Sequence, residues 1–122
     1  MTRVFLVLWA VVLFNISPVL AKSKHSSKEI LFENDKVLML RKVYPAGSES
    51  GMHTHIYPFR TVYFIKGGKL ELVPADKTKK SKKLVAEDGR TLFLPATTHN
   101  VKNIGDTEII VIETELKSNC SD

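Results

Sequence analysis

Two stretches carry the reading: Gly47-Ser48-Glu49-Ser50-Gly51-Met52-His53-Thr54-His55 and Gly89-Arg90-Thr91-Leu92-Phe93-Leu94-Pro95-Ala96-Thr97-Thr98-His99-Asn100-Val101-Lys102-Asn103. In an extended strand, residues i and i+2 point to the same face, so His53 and His55 present two imidazoles side by side. The second stretch supplies one more histidine, His99, after a proline-containing turn. If the two stretches face each other inside a closed sheet, three imidazoles converge. Such a donor set suits Fe, Zn, Ni or Cu, whereas Mg and Ca prefer oxygen ligands. His25 lies in polar sequence and is given no role.

Around these stretches the apolar residues come in short bursts. Val37-Leu38-Met39-Leu40 follows Glu33-Asn34-Asp35, and Thr61-Val62-Tyr63-Phe64-Ile65 runs into Gly67-Gly68. Leu70 and Leu72 alternate with polar residues up to Pro74, Thr91–Leu94 lies between Gly89 and Pro95, and Ile109–Ile112 follows Gly105-Asp106. β-branched and aromatic runs bounded by Gly, Pro, Asn and Asp read as strands. No stretch after residue 22 sustains a helical period. Evenly spaced short strands predict an all-β sandwich or closed barrel. Ala75–Lys83 reads as a long solvated hairpin loop, its five lysines repelling one another.

With 122 residues, 43% of them hydrophobic and 25% charged, the chain has room for one globular domain. The net charge of +5 owes much to that lysine run, which lacks the interleaved aromatics of a base-stacking surface, so no nucleic-acid partner is expected. At the N-terminus, Arg3 precedes the apolar run Val4–Phe14, and Val19-Leu20-Ala21 places small residues for a cut after Ala21. This reads as a secretory signal peptide. Asn15 and Pro18 interrupt the run, and a bilayer span needs roughly 20 apolar residues, so no stable membrane anchor is expected. The organisation is then a signal peptide at 1–21, a flexible lead-in at 22–28, a domain at 29–117 and a tail at 118–122. The product is secreted or periplasmic. The lone cysteine, Cys120, forms no internal disulfide, so the core alone must stabilise the domain.

The two histidine stretches resemble the paired motifs of the cupins. The first cupin motif runs G-x5-H-x-H-x3,4-E-x6-G; Gly47, His53, His55, position 60 and Gly67 match its spacing. The second runs G-x5-P-x-G-x2-H-x3-N; Gly89, Pro95, His99 and Asn103 match, with one residue missing between Pro95 and His99 and the inner glycine absent. The resemblance covers residues 47–103 and implies a single-domain double-stranded β-helix, a jelly-roll-like barrel. It also implies one divalent metal held by His53, His55 and His99. Arg60 stands where the family has its glutamate ligand. A guanidinium has no lone pair to donate, so the site is a three-histidine one, or Arg60 turns aside, or the metal is gone. Three-histidine sites occur in the cupin thiol dioxygenases and in a diketone-cleaving dioxygenase; this chain is similar to those in ligand set only.

Arg60, Val62 and Phe64 share one face of their strand, Thr61, Tyr63 and Ile65 the other. An inward Arg60 would anchor a carboxylate or phosphate, with Tyr57 and Tyr63 as further candidate ligand contacts. Glu49 is a weak substitute carboxylate, and Glu113 and Glu115 are expected to face solvent, leaving no general base beside the histidines. Two functions stay open: a metal-dependent enzyme, dioxygenase- or isomerase-like, acting on a small anionic molecule, and a non-catalytic module binding a small molecule or metal. Open strand edges favour a homodimer.

Overall fold

The computed structural model describes residues 25–117, so the stretch 1–21 expected to be a signal peptide, residues 22–24 of the expected lead-in and the tail with Cys120 lie outside the described residues. Seven antiparallel strands form one rolled sheet: β1 (Ser27–Glu33), β2 (Val37–Tyr44), β3 (His53–Lys66), β4 (Gly68–Pro74), β5 (Lys82–Ala86), β6 (Thr91–Asn103) and β7 (Ile109–Leu116). Their order across the sheet is β1-β2-β7-β3-β6-β4-β5. The all-β expectation holds, with three differences in detail.

The end of the lead-in belongs to the sheet: Ser27 and Lys28 open β1, and His25 bridges Glu49. The lysine-rich loop is shorter than expected, because Lys82 and Lys83 begin β5. Asp76 organises what remains by accepting from the Thr78 amide at 3.0 Å and the Thr78 hydroxyl at 2.6 Å. Finally, Pro95 starts no turn; β6 runs from Thr91 through it to Asn103.

Turn chemistry fixes where the strands end. Asn34 Oδ1 accepts from the amides of Lys36 and Val37, both at 2.9 Å, which closes the β1–β2 hairpin. At Gly67 a Cβ would lie 2.1 Å from the Ala86 carbonyl oxygen, so no larger residue fits between β3 and the end of β5.

The core fills one half of the barrel. Tyr44, Val62, Phe64, Leu70, Ala86, Val101, Ile109 and Val111 are buried together, flanked by Leu72, Leu84, Leu92 and Leu94. Ile109 and Phe64 are fully enclosed. Burying each such side chain contributes roughly 1.5–3 kcal/mol. The other half of the interior is polar, and it holds the histidines.

Candidate metal centre

The inward face of β3 changes parity along its length. His53 and His55 point inward toward its start, but Arg60, Val62 and Phe64 do so further on. Between His55 and Phe59 the register with β6 slips, His55 opposing Thr97 and Phe59 opposing Pro95. Three residues of β3 (Ile56, Tyr57, Pro58) thus face one of β6, a bulge that turns odd positions outward and even positions inward. Strand β6 makes the matching change: Leu92 and Leu94 line the interior on one side, His99 and Val101 on the other. His53 and His99 are direct cross-strand partners.

The three imidazoles therefore meet. Their ring centroids are 4.8, 4.9 and 5.1 Å apart. His53 Nε2 lies 3.0 Å from His55 Nε2, which lies 3.2 Å from His99 Nε2. Tautomers follow from the partners on the far side of each ring. His53 Nδ1 donates to the Gly51 carbonyl at 3.0 Å, an oxygen that only accepts. Gly51 reaches this position with φ of +76°, a left-handed conformation that favours glycine. His55 Nδ1 donates to Glu115. Both Nε2 atoms are then bare lone pairs facing each other, a contact that repels unless a cation is shared.

The donor set fits such a cation. Two nitrogens bound to one ion at ~2.0–2.1 Å and about 90–109° apart are ~2.8–3.4 Å from each other, which brackets the observed separations. Protonation does not compete readily at two of the rings. Burial, above all, lowers His55 from its ordinary value to about 4 and His99 to about 3. Both are neutral donors near neutral pH.

Behind His55 lies a buried charged layer that sequence reasoning missed. Glu113 and Glu115 are each only 5% exposed, contrary to their expected solvent-facing role. The cause is parity: β7 buries Ile109, Val111, Glu113 and Glu115 on one face. Lys42, likewise buried on β2 between Leu40 and Tyr44, pairs with Glu113 at 2.6 Å. Arg60 faces inward, 2% exposed, donating to the Pro95 carbonyl at 2.6 Å with its Nε 3.6 Å from Glu113. His55 Nδ1, Glu113 and Glu115 also cluster closely enough to hold an ion. Lys42 and Arg60 already pair with Glu113, and the His55 Nδ1 proton with Glu115, so a cation gains little there. The Nε2 side is the better metal site.

His53 and His55, with Lys42, Glu113 and Glu115, border an open cleft of about 450 Å³. Its walls are the β1 entrance (Ser26–Lys28), Leu38, Leu40 and Ile56, with Lys42, Tyr44, His53, His55, Glu113 and Glu115 at the base. Arg60 and His99 line a second, apolar-floored cavity of about 40 Å³ behind it. Of the other sequence candidates, Tyr57 lines the cleft, with Lys117 Nζ 5.7 Å from its ring centre. Tyr63 points outward and is 46% exposed, so the structure keeps it away from the histidines. Glu49 accepts from Asn100 Nδ2 at 2.5 Å instead of joining the imidazoles.

No family model matches the chain, and no curated protein does. Solved structures do match it. A cupin domain from Bordetella pertussis Tohama I superposes with a TM-score of 0.72 at 26% identity, covering 80% of this chain and 98% of that one. A protein with a double-stranded β-helix domain from Klebsiella pneumoniae gives 0.63 at 17% identity, covering 82% and 84%. A cupin superfamily protein from Desulfitobacterium hafniense gives 0.58 at 15%, covering 80% and 83%. The fold is the cupin double-stranded β-helix.

Proposed function

We propose that this cupin-fold chain is an exported protein in which His53, His55 and His99 hold one divalent transition-metal ion (Fe, Zn, Ni or Cu) and present it to a small anionic molecule in the adjoining cleft. One observation carries the reading: two of three converging Nε2 atoms are fixed as lone pairs by hydrogen bonds on the opposite sides of their rings. An ion bound there would polarise a coordinated oxygen and acidify coordinated water.

The chain's own residues supply the rest. All three donors are neutral imidazoles, so the ion keeps its double charge, and an anion is the ligand that charge favours. Arg60 is buried beside His99 and faces the inner cavity, where its charge is shared with Glu113. Leu38, Leu40 and Ile56 give the cleft an apolar wall for the ligand's body. Tyr57 lines the cleft from the β3 bulge and would contact that body. Catalysis would then depend on the metal, in the manner of a dioxygenase or isomerase.

A second reading has its own support. Glu115 is engaged by His55 and Glu113 by Lys42, so neither carboxylate is free to serve as general base. That favours a non-catalytic module that binds metal or a small molecule. Isothermal titration of metal-free protein with Zn or Co(II) tests the shared premise. We expect one site per chain, sharply weakened in each of His53→Ala, His55→Ala and His99→Ala; equal binding by wild type and all three variants contradicts it. Oxygen consumption or isomer formation across a panel of small carboxylates then separates enzyme from module.

A further inference from the structure

We infer that Glu115 is the positioning residue of this centre: by accepting the Nδ1 proton of His55 it holds the His55 Nε2 lone pair on the metal side and makes His55 the strongest of the three donors. The inference rests on the metal reading above and concerns how unequal the three ligands are.

The contact joins strands far apart in sequence. His55 lies on β3 and Glu115 on β7, with both side chains almost wholly buried, 3% and 7% exposed. Solvent therefore offers little competition for the His55 proton. Glu113 is the rival acceptor, its Oε1 3.8 Å from His55 Nδ1. It is otherwise occupied, with Lys42 Nζ at 2.6 Å and Arg60 Nε at 3.6 Å. Lys42 and Arg60 thus leave Glu115 as the acceptor for His55. The second oxygen of Glu115 finds no hydrogen-bond partner among the described residues, so its interaction is directed at the imidazole.

The other two rings are held differently. His53 Nδ1 donates to a neutral peptide carbonyl, Gly51. For His99 Nδ1 there is no partner among the described residues. A carboxylate behind an imidazole raises the ring's basicity as a ligand and fixes its rotation more firmly than a carbonyl does. The order of donor strength is therefore His55, then His53, then His99. Arg60 contributes no negative charge to the ion directly, so Glu115 delivers it through His55.

The test uses the metal-free protein titrated with Zn or Co(II) against a chelator of known affinity, alongside nitrogen-15 spectra of the imidazoles. Glu115→Gln keeps the volume and an acceptor oxygen but removes the charge. Glu115→Leu removes the acceptor as well. We expect metal affinity to fall about 10-fold in the first and about 100-fold in the second. We also expect His55 to stay in the Nδ1–H tautomer in wild type and Glu115→Gln, and to lose it in Glu115→Leu, with His53 unchanged in all three. A purely structural role for Glu115 would lower the thermal midpoint without moving the His55 tautomer. Wild-type affinity in both variants, or an unaltered His55 tautomer in Glu115→Leu, overturns the inference alone. A wild type that binds neither ion overturns the metal reading and this inference with it. Should Glu115→Leu fail to fold, the affinity of Glu115→Gln decides.

Discussion

His99 stays neutral because its surroundings withdraw solvent and supply like charge: burial first, then the neighbouring imidazoles, Arg60 and Lys42. This has a consequence for stability. In the unfolded chain these histidines take up protons near ~6.5, whereas in the folded protein His55 does so at about 4 and His99 at about 3. Below ~6.5 the unfolded state binds more protons, so stability falls as pH falls. Urea denaturation of chelator-treated protein should lose stability progressively from pH 6.5 toward 4, and His99→Gln should show a shallower slope over that window. Equal slopes would contradict the burial of His99. At this scale the histidines were legible in the sequence, because the spacing of His53, His55 and His99 is explicit there. Glu113 and Glu115 were readable too: sharing parity with Val111, they had to be buried once Val111 was. Their charge argued for solvent, and packing overrode it.

Among the elements, β3 and β6 decide the site through their matched change of parity. Bursts of apolar residues reveal strands, but a bulge depends on the register with a partner strand, which no single stretch displays. The inward placement of Arg60 followed correctly from Val62 and Phe64, since all three lie beyond the bulge. β1 was harder to see because every residue in it is exposed, so it lacks the alternation that marks a half-buried strand. β2 shows the energetic side of the polar layer. Its Lys42 pairs with Glu113 in a nearly dry setting, each side chain about a tenth exposed or less. Removing one member leaves a buried charge that Arg60 compensates only in part. Lys42→Met should therefore destabilise the protein by about 3 kcal/mol, and the double variant Lys42→Met/Glu113→Gln should recover most of the loss. Chemical denaturation measures both; additive losses would contradict a coupled pair.

For the molecule as a whole, the outer surface of the sheet forms a continuous face. Cross-strand pairing aligns Phe32, Met39, Thr114, Thr61 and Phe93 in one row, and Glu29, Arg41, Ile112, Tyr63 and Thr91 in the next. Phe59 stacks on Phe93 at its margin, with ring centres 5.0 Å apart. We propose that a second copy of this chain covers it, since Phe32, Met39, Phe93, Ile112 and Tyr63 stand among uncharged threonines and the only charges in these rows are Glu29 and Arg41, which a two-fold partner would meet with the opposite charges. Sedimentation should give a dimer at micromolar concentration and a monomer for Phe93→Lys; a monomeric wild type would contradict it. Whether the three imidazoles hold an ion is decided by metal analysis of protein recovered from medium or periplasm and dialysed against buffer. The wild type should carry close to one Fe, Zn, Ni or Cu per chain and the triple variant His53→Ala/His55→Ala/His99→Ala almost none. The same trace metal in both would contradict it.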